Sequence, residues 1–172
     1  MGEIVIEFLL AVTGTSLALA GLASLISLFR DSETYRPGDV YVFRWIILTC
    51  VMVAIGGLLP LAVATTFEET SGTVWIISSL TYALCTLLLM SQLIYQMVTK
   101  RIRMLFVNIT YVLLTVTIAF VLLNVLNLFL WQDAAPYIWG LLWGLVTIGF
   151  RLYLFLVIVT MSRVPEKRNS QA

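Results

Sequence analysis

Residues Pro136–Ser162 read PYIWGLLWGLVTIGFRLYLFLVIVTMS, 27 residues with one charge among them, Arg151. About 20 apolar residues in a helix cross the roughly 30 Å hydrocarbon core of a bilayer. Backbone N–H and C=O groups there must be satisfied within the segment, which a helix achieves. The stretch therefore reads as a transmembrane helix with an arginine near its middle. Four further runs share its character, at about 4–29, 40–67, 73–99 and 104–131. They are continuous, whereas a membrane β-barrel needs short alternating segments. The expected fold class is all-α, a multi-pass transmembrane bundle of five helices. A single domain spans 1–163, and a polar tail follows over 164–172.

Composition agrees. The chain is 61% hydrophobic and 11% charged, against about a quarter charged in a soluble domain. A net charge of +1 without a basic stripe gives no reason to expect nucleic acid as a partner. The lack of histidine removes His-ligated haem, most zinc and di-iron sites, and histidine general bases. Cys50 and Cys85 lie in different spans and read as small buried hydrophobes. No catalytic, metal or cofactor-binding residue is expected.

The connections are short, so successive helices are expected to run up and down as neighbours. Asp39 is placed to cap span two, and Pro136 to start span five, where its missing N–H costs little. Arg30, Arg36 and Arg44 sit around the first loop, Lys100, Arg101 and Arg103 in the third, and Arg163, Lys167 and Arg168 at the tail. The other side carries Glu3, Glu7, Glu68, Glu69 and Asp133. Basic residues favour the cytoplasmic side, which puts the N-terminus outside and the C-terminus inside. Ala18-Leu19-Ala20 resembles a signal cleavage site, but two glutamates and no basic residue precede it, so span one reads as a retained helix. Trp75, Trp131 and Trp139 near one interface, Trp143 a turn deeper and Trp45 near the other read as an aromatic belt. Size and short loops suit a prokaryotic inner membrane.

Transmembrane helices associate where small residues let backbones approach. Span one offers Ala11, Gly14, Ala18 and Gly21 on one face, and span five offers Gly140 and Gly144, continued by Thr147 and Arg151. Packing within the chain, such as span five on span one, is the expected use of both. In span two Pro60 removes a helical hydrogen bond and frees the carbonyl of Gly56; a kink is expected there. Span three places Ser78, Tyr82, Cys85 and Gln92 on one face, and span four repeats Thr110, Thr117 and Asn124 every seven residues. Such groups read mainly as interhelical adhesion.

Arg151 is the costly residue. A central arginine costs about 2.5–3.5 kcal/mol on insertion scales. It lies roughly 16 Å from the end of its span, and Gly56 lies roughly 22 Å from the same side at the helical rise. Helical side chains lean toward the N-terminus, so the sequence predicts that Arg151 donates to Gly56 O and to hydroxyls such as Thr86, Thr115 or Thr117. Arg151, Gly56, Pro60, Thr86, Thr115 and Thr117 are thus the candidate polar site.

The sequence supports three functions: a non-catalytic scaffold or accessory subunit of a membrane complex, which the scarcity of chemistry-bearing residues favours; a small oligomeric transporter or permeation protein with its site at Arg151; and a membrane sensor. The expected partners are the lipid bilayer and either a second copy or another membrane subunit. A cavity reaching Arg151 separates the second function from the first.

Overall fold

The structure is a computed structural model that describes residues 2–28, 37–66, 71–98 and 107–161. Arg30, Arg36, Lys100, Arg101, Arg103, Arg163, Lys167 and Arg168, the Glu68-Glu69 turn and the 164–172 tail lie outside the described residues. Five α-helices make up the described chain: α1 (Glu3–Leu28), α2 (Pro37–Thr66), α3 (Ser71–Val98), α4 (Val107–Phe129) and α5 (Ala134–Met161). Each is long and apolar enough to cross a membrane. Strands are absent among the described residues. Helix α2 begins at Pro37, two residues before the expected cap Asp39, because proline has the backbone angle of a first helical turn. It continues as α-helix through Pro60. Helix α5 begins at Ala134, whose N–H donates to the Asp133 carboxylate at 2.6 Å, and Pro136 falls within its first turn.

Helices α2, α3, α4 and α5 contact one another in ring order, and α1 lies outside against α2 and α5. Among the described residues α2 and α4 do not touch, whereas α3 reaches α5 across the ring. Leu9, Val12, Ile46, Val53, Leu141, Ile148 and Phe155 form the main apolar core where α1, α2 and α5 meet. A smaller cluster of Ala83, Met90 and Val121 joins α3 to α4. The outer surfaces carry Leu10, Leu17, Leu88, Val112, Leu122 and Tyr153, all exposed.

The α1–α2 seam corrects one expectation. Ala11, Gly14, Ala18 and Gly21 all face outward, and a Cβ added at Gly14 or Gly21 would meet nothing within 4 Å. The buried face is instead Leu9, Val12, Thr13, Ser16 and Ala23. Thr13 Oγ1 donates to Leu9 O at 2.9 Å and reaches Ala54 O at 3.4 Å. Ser16 Oγ lies 3.2 Å from Thr13 O and 3.1 Å from Cys50 O. The small residue that permits this approach is Gly57 on α2, where a Cβ would overlap Thr13 Oγ1 and lie 2.9 Å from Leu9 O. Hydroxyls that bond across the seam gain polar energy as well as contact. Bare glycines on the other face offer contact alone.

Glycines 140 and 144 are buried. A Cβ on Gly140 would come within 2.6 Å of Asn124 Nδ2, and one on Gly144 within 2.5 Å of Val53 Cγ2. Helix α5 therefore approaches α4 and α2 closely, with Tyr82 of α3 crossing the gap to within 3.1 Å of the Gly144 position. The partner of this face is not the small-residue face of α1.

Polar residues of α3 and α4 divide between inside and outside. Ser78, Tyr82 and Asn124 are buried, but Cys85 and Gln92 are exposed. Asn127 closes the α4–α5 turn: its amide nitrogen donates to Ser79 Oγ at 3.1 Å and Asp133 O at 2.9 Å, and its oxygen accepts from Asp133 N at 3.1 Å. Gln132 in that turn has φ of 51° and donates its N–H to Asn127 O.

The belt also needs correction. Trp131 and Trp139 are exposed, but Trp75 and Trp45 are buried and Trp143 is half-buried. Trp75 packs on Tyr137, with ring centroids 5.9 Å apart. The other two serve the site described next.

Candidate functional site: a pocket around Arg151

Arg151 Nη1 donates to Thr49 Oγ1 at 2.6 Å. The guanidinium also lies over the Trp45 ring, 5.6 Å from its centroid. Thr49 and Trp45 are one turn apart on α2, and Thr49 Oγ1 in turn donates to Trp45 O at 2.7 Å. The aromatic face and the hydroxyl replace part of the hydration that the cation gives up.

Arg151 does not meet Gly56. Thr49 lies twelve residues past the start of α2, and Arg151 ten residues before the end of α5. At about 1.5 Å per residue these depths are about 18 and 15 Å, so the two are level. The lean of the side chain is overcome by a partner already at its own depth. The carbonyl that Pro60 frees is taken by Tyr137, whose hydroxyl donates to Gly56 O at 2.5 Å. Gly56 and Pro60 are both buried, and Gly56 lies against the Tyr82 ring, which meets the Tyr137 ring edge to face at 5.6 Å. They form a structural joint distinct from Arg151. Thr115 is exposed and donates to Tyr111 O of its own helix at 2.9 Å.

Arg151, Thr86 and Thr117 do come together, around a cavity of about 150 Å³ within the α2–α5 ring. Thr49, Thr110 and Thr147 add three more hydroxyls, and Trp45, Trp143, Phe120, Met52 and Met90 supply much of the remaining wall. Tyr82 caps the deep end, where its hydroxyl donates to Gly140 O at 3.1 Å. From there the lining extends to Val42, Leu93, Thr110 and Leu154, at the end where α2 and α4 begin and α3 and α5 finish. Trp143 is held in the wall by stacking on Phe120, with centroids 5.6 Å apart, and by donating Nε1–H to Thr117 Oγ1 at 2.9 Å.

The hydroxyl protons of four of the five threonines in this wall are spent locally. Thr49, Thr86, Thr117 and Thr147 each donate to a carbonyl three or four residues earlier on their own helix. Their oxygens remain acceptors, while Arg151 carries up to five N–H donors and a permanent charge. The cavity thus combines one cationic group with an otherwise apolar, acceptor-bearing wall. Ser78 Oγ and Asn124 Oδ1 are the buried side-chain polar atoms without a hydrogen-bond partner among the described residues, and neither lines the cavity.

Thr49 and Tyr137 escaped sequence reasoning, although each had a signal. Tyr137 lies three residues before Gly140 and so begins the face that runs Gly140, Gly144, Thr147, Arg151. Thr49 is the hydroxyl of α2 that the packing of α5 brings to Arg151. Comparison with protein-family models, curated proteins and solved structures finds no match.

Proposed function

We propose that this protein is a multi-pass inner-membrane protein that binds a small solute at Arg151 and passes it through the four-helix ring. The observation that carries the reading is the cavity itself, which joins Arg151 to Thr49, Thr86, Thr117 and Thr147 at mid-helix depth and to Thr110 near the start of α4. A structural staple needs no void beside it, since close packing stabilises such a cross-link. The exposed leucines around the bundle suit a lipid surface. Residue pairs such as Ser16–Cys50, Thr49–Arg151 and Phe120–Trp143 suit an up-and-down arrangement. With the basic loops inside, the N-terminus is outside and the pocket extends toward the cytoplasmic end. The barrier to passage is then the Tyr82–Gly140 bond. The reading assigns binding and passage, with no catalytic step.

Transport currents from proteoliposomes on a supported membrane test this. Concentration jumps of acetate, benzoate, chloride and phosphate are applied in turn. At least one is expected to evoke a current above that of empty liposomes, and Arg151→Gln removes it. Currents no larger than those of empty liposomes for all four oppose the reading.

A scaffold or accessory-subunit role has its own support. The outward face of Ala11, Gly14, Ala18 and Gly21 is shaped for close approach by another helix, from a second copy or another subunit. That face lies on the other side of α1 from the ring, so the two roles are separable by mutation.

A further inference from the structure

We infer that the turn between α4 and α5 binds the headgroup of a phospholipid that carries a primary ammonium, as ethanolamine lipids do. The site is separate from Arg151 and its cavity. It is an open groove lined by Leu123, Trp131, Gln132, Asp133, Pro136 and Trp139. The turn joins the end of one apolar span to the start of the next. Lipid headgroups meet a transmembrane helix at that depth.

Asp133 is the one charged residue between Arg103 and Arg151. Its Oδ1 accepts the N–H of Ala134 at 2.6 Å and so caps α5. Capping offsets the positive end of the helix and uses one carboxylate oxygen. The other oxygen has no donor, and the carboxylate no ion pair, among the described residues. A primary ammonium supplies both, through a charge-assisted hydrogen bond. The same carboxylate repels an anionic headgroup.

The aromatic walls point the same way. Trp45 lies under Arg151, Trp75 packs on Tyr137 and Trp143 stacks on Phe120. Trp131 and Trp139 are exposed and have no ring or hydrogen-bond partner among the described residues. Their faces attract a cation, and their Nε1–H groups are donors for the phosphate and ester oxygens of the same lipid. Leu123 gives its acyl chain an apolar surface.

Interfacial anchoring accounts for exposed tryptophans, but not for the carboxylate between them or for the fixed turn that carries all three. Gln132 has φ of 51°, which few non-glycine residues adopt. Asn127 holds it there. Its main-chain oxygen accepts from Gln132 N at 2.9 Å, and its side-chain amide bonds both Asp133 N and Asp133 O. Such a backbone persists where its surroundings over-determine it, and a site fixed in advance loses little freedom on binding.

The test is native mass spectrometry of the full chain released from nanodiscs. These contain equal parts of phosphatidylethanolamine, phosphatidylcholine and phosphatidylglycerol with matched acyl chains. The ethanolamine lipid is expected to be retained about tenfold over each of the others, the factor that one charge-assisted hydrogen bond supplies. Asp133→Asn keeps a capping side chain and removes the charge, and is expected to abolish the preference. Trp139→Leu is expected to weaken it. Equal retention of the choline lipid overturns the inference, because choline has no N–H to donate. Equal retention of the glycerol lipid overturns it as well, since the ammonium then plays no part. A preference that survives Asp133→Asn removes the carboxylate from the site. The lipid ratios are read on the unmodified protein, so misfolding of a variant does not blunt the test, and no outcome bears on the Arg151 pocket.

Discussion

Arg151 and Tyr137 share one face of α5, yet they answer different needs of α2. Tyr137 repairs the backbone at Pro60 by donating to Gly56 O. Arg151 bonds Thr49 about two turns away. The need for a donor at Gly56 was legible, because a proline in a helix always frees the carbonyl four residues before it. Which donor supplies it was not, since that depends on the depth at which α5 docks on α2. Tyr137→Phe keeps the ring contacts and removes only the hydroxyl. It is expected to cost about 1–2 kcal/mol, the range for a buried hydrogen bond within a membrane or protein interior. In a Pro60→Ala background the helix supplies its own N–H to Gly56 O, and the same change should cost only a few tenths. Reversible unfolding in mixed micelles gives all four corners of this cycle. Equal costs in the two backgrounds would show that Tyr137 does not serve the proline.

At the scale of elements, helix existence and approximate bounds followed from hydropathy, whereas the choice of packing face did not. Two helices carried small residues at helical spacing, and only α5 buries them. The difference lies in neighbouring residues. On α1 the competing face holds Thr13 and Ser16, which bond to α2 carbonyls. On α5 the small residues stand opposite Tyr82, Asn124 and Val53, which need the space. Substitution should reveal this asymmetry. Gly144→Ala meets the stiff β-branched Val53 and is expected to destabilise by about 1–3 kcal/mol, as overpacking does. Gly14→Leu meets no atom of the chain and should leave its unfolding midpoint nearly unchanged. If α1 also serves as a docking face, Gly14→Leu weakens crosslinked association in membranes. Thermal unfolding of both variants decides the first point. A Gly14→Leu protein as damaged as Gly144→Ala would place that glycine inside the bundle.

At the scale of the whole molecule, four helices ring a cavity and a fifth stands outside. Sequence reading anticipated that Arg151 faces protein or water, because its cost in lipid demands it. It could not anticipate a void, which is a property of how four helices fail to fill the space between them. Thr86 and Thr117 were legible as polar positions near Arg151. Thr115, two residues from Thr117, was not separable from it until the rotation of α4 was known.

Water access to the Arg151 cavity is the most direct test of this account. Thr110→Cys, at the end of the lining where α4 begins, is placed in a Cys50→Ala, Cys85→Ala background and reconstituted in lipid nanodiscs. The account predicts modification by an anionic thiosulfonate, with a Leu88→Cys control on the exposed apolar face of α3 unreactive. A Thr110→Cys protein as inert as that control would contradict it, because the cavity would then be closed to water and solute.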